Sequence, residues 1–181
     1  MKCVEIDGLK FELLISSNKI LDRIHLIANE IKKNHKNDSP IYLVVLNGAV
    51  VFAAELLKYL DPQFESSVIK VKSYDGLDSS GQVTIEYIPI DRVFDRNVIL
   101  IEDIVDSGLT LNVLTKELKL HGAKNVYCAS LLFKPNKNNF NIIPNYIGFE
   151  IGDEFVVGYG MDFNKKGRSL KHIYKNIINR N

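Results

Sequence analysis

Continuous runs of branched apolar residues alternate along this chain with stretches whose apolar residues recur every three or four positions. The runs are Ile41–Leu46, Val98–Ile101 and Val126–Phe133. Such runs are typical of strands covered on both faces of a parallel sheet. Helical spacing occurs at Ile20, Ile24, Ile27 and Ile31, and helical stretches are expected over 49–60 and about 109–120. The alternation predicts an α/β domain with a largely parallel sheet.

Polar residues and glycines mark where these elements begin and end. Ser16 or Ser17 can cap the first helix, which we expect to end between residues 34 and 37. Gly122 follows the third helix as its C-terminal stop. Two further strands, over 67–73 and 83–87, flank a polar connection that contains two glycines and that we expect to be mobile.

Length and composition narrow the possible classes of protein. The chain has 181 residues, and we expect residues 1–181 to form a single domain with a substantial core. A formal net charge of +1 argues against attachment to nucleic acid. No segment reaches the roughly 18 apolar residues of a membrane span, and the first residues lack the apolar core of a signal peptide. Cys3 and Cys128 lack metal-binding spacing. A cytoplasmic location is expected.

Residues 163–181 are rich in positive charge and contain no acidic residue. The basic residues are Lys165, Lys166, Arg168, Lys171, Lys175 and Arg180. Charge alone favours a solvated terminal helix for this segment. The alternative is that Arg168 faces a bound anion.

An acidic turn follows the apolar run at 98–101. Glu102 and Asp103 are expected to emerge at the carboxyl end of that strand, and Asp106 follows shortly after. Three small residues stand at the expected start of the next helix: Ser107, Gly108 and Thr110. Free N–H groups and the positive end of the helix dipole suit a phosphate there. Because carboxylates repel a phosphate unless they bind sugar hydroxyls or a shared metal, the turn predicts a phosphorylated sugar with Mg²⁺.

Two other chemical features fall at strand ends of the same kind. A tight turn follows Leu46, and Lys134 follows Phe133. Ligands of open parallel sheets bind beyond the carboxyl ends of the strands. We therefore expect both features to lie near the acidic turn.

The acidic turn has alternative interpretations. A P-loop protein would need a Gly-x-x-x-x-Gly-Lys-Ser/Thr loop, which the chain lacks. A phosphoacceptor receiver domain fits poorly with the small-residue loop after Asp106 and with the chain length. The third alternative is that the three acids are only solvated at a strand end.

The run Glu102–Thr110 resembles the phosphoribosyl pyrophosphate motif of type I phosphoribosyltransferases, and other blocks resemble the hypoxanthine-guanine branch. These blocks are Leu46–Ala49, Lys72–Tyr74, Ser130–Lys134 and Tyr146–Asp162. The resemblance implies the type I fold, with a mainly parallel central sheet flanked by helices and a small hood from the terminal segments. It also implies transfer of phosphoribose from phosphoribosyl pyrophosphate to hypoxanthine or guanine, with Mg²⁺ as cofactor and a homodimer or homotetramer as the assembly. The alternative is a non-catalytic regulator that senses the same ligands.

The resemblance also implies roles for individual residues. Glu102 and Asp103 would bind the ribose hydroxyls, directly or through Mg²⁺, and Asp106 would be the general base at purine N7. The 5′-phosphate would lie on Asp106, Ser107, Gly108, Leu109 and Thr110. The purine would contact Lys134, Phe155, Val156 and Asp162. Lys134 would donate to the 6-oxo group, which favours hypoxanthine and guanine over adenine.

Pyrophosphate would lie at the remaining matched positions. These are Leu46, Asn47, Gly48, Ser73, Tyr74 and Arg168, with Asp162 as a second Mg²⁺ contact. The turn at Leu46–Gly48 matches a family loop that often contains a non-proline cis peptide, and 73–84 would form a lid. Leu109 and Asn47 lack the positive charge that many relatives carry there, so the affinity for phosphate groups depends on backbone donors.

Overall fold

Two β-sheets organise the chain in the computed structural model, which describes residues 3–73 and 83–177. The strands are β1 (Cys3–Ile6), β2 (Leu9–Ile15), β3 (Ile41–Leu46), β4 (Glu65–Ser73), β5 (Val83–Tyr87), β6 (Asn97–Val105), β7 (Asn125–Phe133), β8 (Tyr146–Glu150), β9 (Val156–Val157) and β10 (Ile173–Asn176). The helices are α1 (Ser17–Asn34), α2 (Val50–Leu57) and α3 (Leu109–Leu120). The larger sheet has the order β5-β4-β3-β6-β7-β8, and the smaller sheet has the order β1-β2-β10-β9.

The larger sheet is parallel except at one edge. Strands β4, β3, β6, β7 and β8 run parallel, and β5 pairs with β4 antiparallel. Alternate residues of β3 face opposite sides of the sheet, so that Tyr42 and Val44 pack with α1 and α2 while Leu43 and Val45 pack with α3. This arrangement confirms the predicted α/β class and explains why the strand runs are apolar on both faces.

The predicted bounds hold for most elements. Helix α1, strand β3, strand β5 and helix α3 lie where the sequence predicts them, and Gly122 follows α3 with φ +83°. Helix α2 is shorter than expected and ends at Leu57. The backbone N–H groups of residues 58–60 donate to the carbonyl three residues earlier, rather than four residues earlier as in an α-helix. In the described ranges, no helix is long and apolar enough to cross a membrane. The predicted connection at 74–82 lies outside the described residues.

The start of α1 differs in detail from the expectation. Ser16 is the N-cap residue, but its side chain makes no capping bond. The N–H of Ser17 instead donates to Nδ1 of His172 over 2.8 Å. One of the free N–H groups of the first turn is thereby satisfied by a distant part of the chain.

Strand β6 is longer than the apolar run suggested, and this corrects the predicted position of two acids. The strand extends to Val105 because it continues to pair with β7, for example Glu102 with Ser130 and Val105 with Phe133. Glu102 and Asp103 therefore lie within the last residues of β6 rather than beyond the end of the strand. Glu102 is only 8% exposed as a result.

We define the hood as the smaller sheet (β1, β2, β9 and β10) together with residues 158–172, which connect β9 to β10. The resemblance implied a hood from the terminal segments, and the structure confirms it. The prediction of a terminal helix over 163–181 was wrong, because Ile173 and Tyr174 are buried in β10, which pairs with β2 and β9. Residues 178–181 lie outside the described ranges.

Candidate active site

A cavity of about 810 Å³ opens at the carboxyl ends of β3, β4 and β6, beneath the hood. Its wall is formed by four segments. These are the turn after β3 at residues 46–48 (the β3 turn), the acidic run at 102–106, the start of α3, and the hood turn at 162–168. The predicted site residues on this wall are Leu46, Asn47, Gly48, Glu102, Asp103, Asp106, Ser107, Gly108, Leu109, Thr110, Asp162 and Arg168. The predicted convergence of the β3 turn with the acidic turn is confirmed.

The β3 turn and the acidic strand are in direct contact. A Cβ atom on Gly48 would lie 1.8 Å from Oδ2 of Asp103, so this position has no room for a side chain. The Leu46–Asn47 peptide bond is cis, as the resemblance implied for this loop. Backbone of the β3 turn and a carboxylate of β6 thus share one narrow part of the cavity.

Glu102 and Asp103 place two carboxyl groups side by side. The N–H of Asp103 donates to Oε1 of Glu102 over 3.2 Å, and the N–H of Ile104 donates to Oδ1 of Asp103 over 3.0 Å. Burial and the neighbouring Asp103 carboxylate raise the pKa of Glu102 well above its ordinary value. A bound cation or hydroxyl donors would relieve this crowding of negative charge.

The donor set at this end fits Mg²⁺. Magnesium is usually held by one or two carboxylates together with substrate oxygens and water. Across residues 3–73 and 83–177, no three His, Cys, Asp or Glu side chains form a ready-made metal cage. Adjacent Glu102 and Asp103, together with Asp162 elsewhere on the cavity lining, supply the sparse set that such an ion prefers.

The start of α3 has the backbone geometry of an anion cradle. Gly108 has φ +83° and is the N-cap residue, and the helix begins at Leu109. The N–H of Leu109 donates to Oγ of Ser107 over 3.3 Å. The positive end of the helix dipole therefore faces the cavity directly beside Asp106.

Lys134 reaches Asp106 although it does not line the cavity itself. Its Nζ donates to Oδ2 of Asp106 over 2.9 Å, and its backbone N–H donates to the carbonyl of Val105. The side chain of Lys134 is 4% exposed, whereas that of Asp106 is 43% exposed. A buried ammonium thus fixes a carboxylate whose other side is open to ligand.

The hood contributes a turn that faces the same cavity. Nη2 of Arg168 lies 2.6 Å from Oδ1 of Asp162, and Nη1 of Arg168 donates to the Gly160 carbonyl over 2.7 Å. Arg168 therefore lines the cleft, and its contact with a bound anion stays a prediction. Lys165 also lines the cavity. Sequence reasoning missed it, since its only signal was membership of that segment.

Besides Lys134, two predicted residues in the described ranges are not among those that line the cavity. The Phe155 ring packs against Phe11 and Phe163 within the hood and is 48% exposed. Val156 is buried in β9. Ser73 ends β4, and Tyr74 lies outside the described residues.

Comparisons with known proteins agree with this architecture. The family model described as "Phosphoribosyl transferase domain" matches residues 14–164. The hypoxanthine-guanine phosphoribosyltransferase of Bacillus subtilis is 36% identical, over 90% of this chain and 91% of that protein. A crystal structure of a Bacillus anthracis hypoxanthine-guanine phosphoribosyltransferase, with a HEPES molecule in its active site, is 32% identical. It has a TM-score of 0.85 and covers 92% of this chain and 98% of that one.

The chain also matches part of a longer protein. The bifunctional TilS/HprT protein of Listeria monocytogenes is 38% identical over 90% of this chain, which spans only 25% of the length of that relative. The chain belongs to the phosphoribosyltransferase family. Within that family, the Bacillus subtilis relative and the Bacillus anthracis structure are hypoxanthine-guanine phosphoribosyltransferases.

Proposed function

We propose that this chain is a Mg²⁺-dependent hypoxanthine-guanine phosphoribosyltransferase of purine salvage. It transfers phosphoribose from 5-phosphoribosyl 1-pyrophosphate to hypoxanthine or guanine, giving IMP or GMP and pyrophosphate. The observation that carries the proposal is the 2.9 Å contact between Lys134 and Asp106 next to the phosphate cradle of α3. A base-recognising pair and a sugar-phosphate site are thereby adjacent.

The contact between Lys134 and Asp106 suggests how the purine base binds. Purine O6 and N7 are neighbouring atoms on one edge of the base. O6 accepts a hydrogen bond, whereas N7 loses a proton as N9 attacks the anomeric carbon of the ribose. Lys134 donates to O6, and Asp106 accepts the proton at N7. A 6-amino group would present a donor to the Lys134 ammonium, so adenine is disfavoured. Phe155 stacks on the base, while backbone near Val156 and Asp162 reads its edge.

The ribose end uses the acids of β6. Glu102 and Asp103 hold the ribose hydroxyls, and backbone donors of Ser107, Gly108, Leu109 and Thr110 hold the 5′-phosphate. As the bond to pyrophosphate lengthens, positive charge grows on the ribose ring, and these carboxylates stabilise it. When bound, Mg²⁺ supplies charge neutralisation for the pyrophosphate leaving group. Glu102 and Asp103 would hold it, with Asp162 as a second Mg²⁺ contact on the pyrophosphate.

Pyrophosphate occupies the remaining end of the cleft. Leu46, Asn47 and Gly48 contribute backbone donors, and Arg168 contributes its guanidinium. Ser73 and Tyr74 belong to the proposed lid at 73–84, which excludes water from the activated sugar.

The wider setting is part of the same proposal. Residues 1–181 form one domain, which acts in the cytoplasm as a homodimer or homotetramer and does not bind nucleic acid or membrane. Support for the location comes from Cys3 and Cys128, which are free thiols in the structure. The near-neutral charge supports the absence of a nucleic-acid partner.

A nucleotide-formation assay tests the reaction. The protein is incubated with phosphoribosyl pyrophosphate, Mg²⁺ and one base from a panel of hypoxanthine, guanine, xanthine and adenine. We expect IMP or GMP to form and adenine to be rejected. Formation of no nucleotide from any base would favour the non-catalytic regulator, an alternative that the names of the relatives do not support.

A further inference from the structure

The cavity as a whole is lined by more acidic than basic side chains. The described part of its lining contains four carboxyl groups: Glu102, Asp103, Asp106 and Asp162. It contains three cationic side chains: Lys72, Lys165 and Arg168. Lys72 pairs with Glu86, and Arg168 pairs with Asp162. A ligand carrying two linked phosphates requires more positive charge than these pairs leave.

Lys165 differs from the other two cations. Its ammonium forms no ion pair or hydrogen bond with any residue in the ranges 3–73 and 83–177, and its side chain is exposed. The next residue, Lys166, is held away from the cleft by Asp7, whose Oδ1 lies 2.5 Å from its Nζ. The neighbouring lysine is therefore anchored in the hood while Lys165 remains available on the cavity wall.

The backbone holds Lys165 in place. Phe163 and Lys166 exchange two backbone hydrogen bonds of 2.9 and 3.0 Å across a two-residue turn. Asn164 and Lys165 form that turn with φ of +51° and +65°. The N–H of Lys165 donates to Oδ2 of Asp162 over 2.7 Å, which ties the turn to the Arg168 pair. Glycine would adopt these angles more easily, so a lysine here is not explained by backbone preference.

The backbone shortly before this turn contacts the β3 turn that carries Asn47. A Cβ atom on Gly160 would lie 2.0 Å from the carbonyl oxygen of Gly48, so the hood backbone contacts the β3 turn directly. Asn47 has no charge. Lys165 and Asn47 both line the cavity.

We propose that Lys165 binds the pyrophosphate group of phosphoribosyl pyrophosphate and supplies the positive charge that Asn47 lacks. The proposal rests on the proposed function and adds a substrate-binding residue to it. The contact is charge-assisted but exposed to solvent, which limits its strength. It acts on binding of the leaving group and leaves recognition of the base to Lys134.

Steady-state kinetics of four variants test this role. In Lys165→Ala and Lys165→Met we expect the KM for phosphoribosyl pyrophosphate to rise by about three- to tenfold. The KM for hypoxanthine and kcat should stay within about twofold, and Lys165→Arg should remain close to the parent protein. Lys165→Gly relieves the backbone angle, so it should have an unchanged or higher Tm together with the raised KM. Lys33→Ala, which removes a charge at the end of α1, is the control and should have no effect.

Calorimetric binding of inorganic pyrophosphate with Mg²⁺ separates this proposal from the proposed function. Weaker pyrophosphate binding by Lys165→Ala would support the proposal even if the parent protein formed no nucleotide. Unchanged pyrophosphate affinity in Lys165→Ala would overturn it, as would equal increases in the KM for both substrates. The difference between parent and variant should also shrink at high salt, where exposed charges are screened.

Discussion

The end of β6 and the hood turn at 162–168 face the same cavity, yet different interactions hold them. Glu102 lies in a central strand that pairs on both sides, and its position is set by backbone ladders. Asp162 is held by Arg168 and by the N–H of Lys165, near the protein surface. Because the first region is rigid and buried while the second is tied by polar contacts, we expect substitutions in the first to alter chemistry and in the second to alter binding.

The largest effect is expected at Asp106. Asp106→Asn keeps the shape but removes the proton acceptor, so kcat should fall by about 10² to 10⁴-fold while the KM for phosphoribosyl pyrophosphate changes little. Initial-rate kinetics with hypoxanthine measure both. Near-normal turnover would remove Asp106 from the mechanism.

Lys134 should have the next largest effect, and on selectivity rather than on the sugar. Loss of a charged hydrogen bond to O6 in Lys134→Ala should reduce the preference for hypoxanthine over adenine by about 10- to 100-fold in kcat/KM. The ratio is measured by competing the two bases. A ratio equal to that of the parent protein would contradict the assigned role.

Gly160 tests whether the hood must contact the β3 turn. With φ +104° and only 2.0 Å between a Cβ and the Gly48 carbonyl, Gly160→Ala should lower the free energy of unfolding by about 2 kcal/mol or more and raise the KM for phosphoribosyl pyrophosphate.

Gly8 provides the matched control for that substitution. It has φ +77° with no atom within 4 Å of a Cβ, so Gly8→Ala adds backbone strain alone, about 1 kcal/mol. Urea titration and kinetics compare the two proteins. If both behave alike, contact between the hood and the β3 turn is not required.

The smallest effect is expected at His172. Its Nδ1 accepts the Ser17 N–H, which requires a ring that is unprotonated at that atom. Partial burial and the nearby Lys171 lower the pKa of His172. The unfolded chain therefore binds this proton more readily than the folded one, so stability is complete above about pH 6.5 and declines as the pH falls below it. Chemical unfolding over pH 5 to 8 should show a smaller slope for His172→Gln, and an identical slope would contradict the assignment.

Predictability from sequence differed between the two regions for a physical reason. The acids and the cradle of 102–110 are contiguous, so their strand-to-helix order was visible in the apolar pattern. The length of β6 was not visible, because pairing with β7 and not composition determines where the strand stops. The contact between Lys134 and Asp106 likewise depends on the parallel order of β6 and β7, which the sequence indicated only as a convergence at one edge.

The hood was less accessible to sequence reasoning. β1 and β2 are partly exposed, so they lack the apolar runs that revealed the central strands. The charges of 163–181 suggested a solvated helix, whereas burial of Ile173 and Tyr174 in β10 decided the outcome. Charge alone offered an anion-facing Arg168 only as the alternative to a solvated helix, and the resemblance assigned it to pyrophosphate. Lys165 was found only from its place on the cavity wall.

The pairing of Phe11 with Asn176 sets an order of events during synthesis. Phe11 is fully buried with Val157 and Tyr174, which the ribosome makes long after the first strands. The larger sheet and the start of α3 are made before β10, so they can begin to assemble while Phe11 still lacks its covering strand. A nascent chain therefore contains the start of α3 well before it contains the turn with Asp162 and Arg168, and the cavity wall is complete only once that turn has been made.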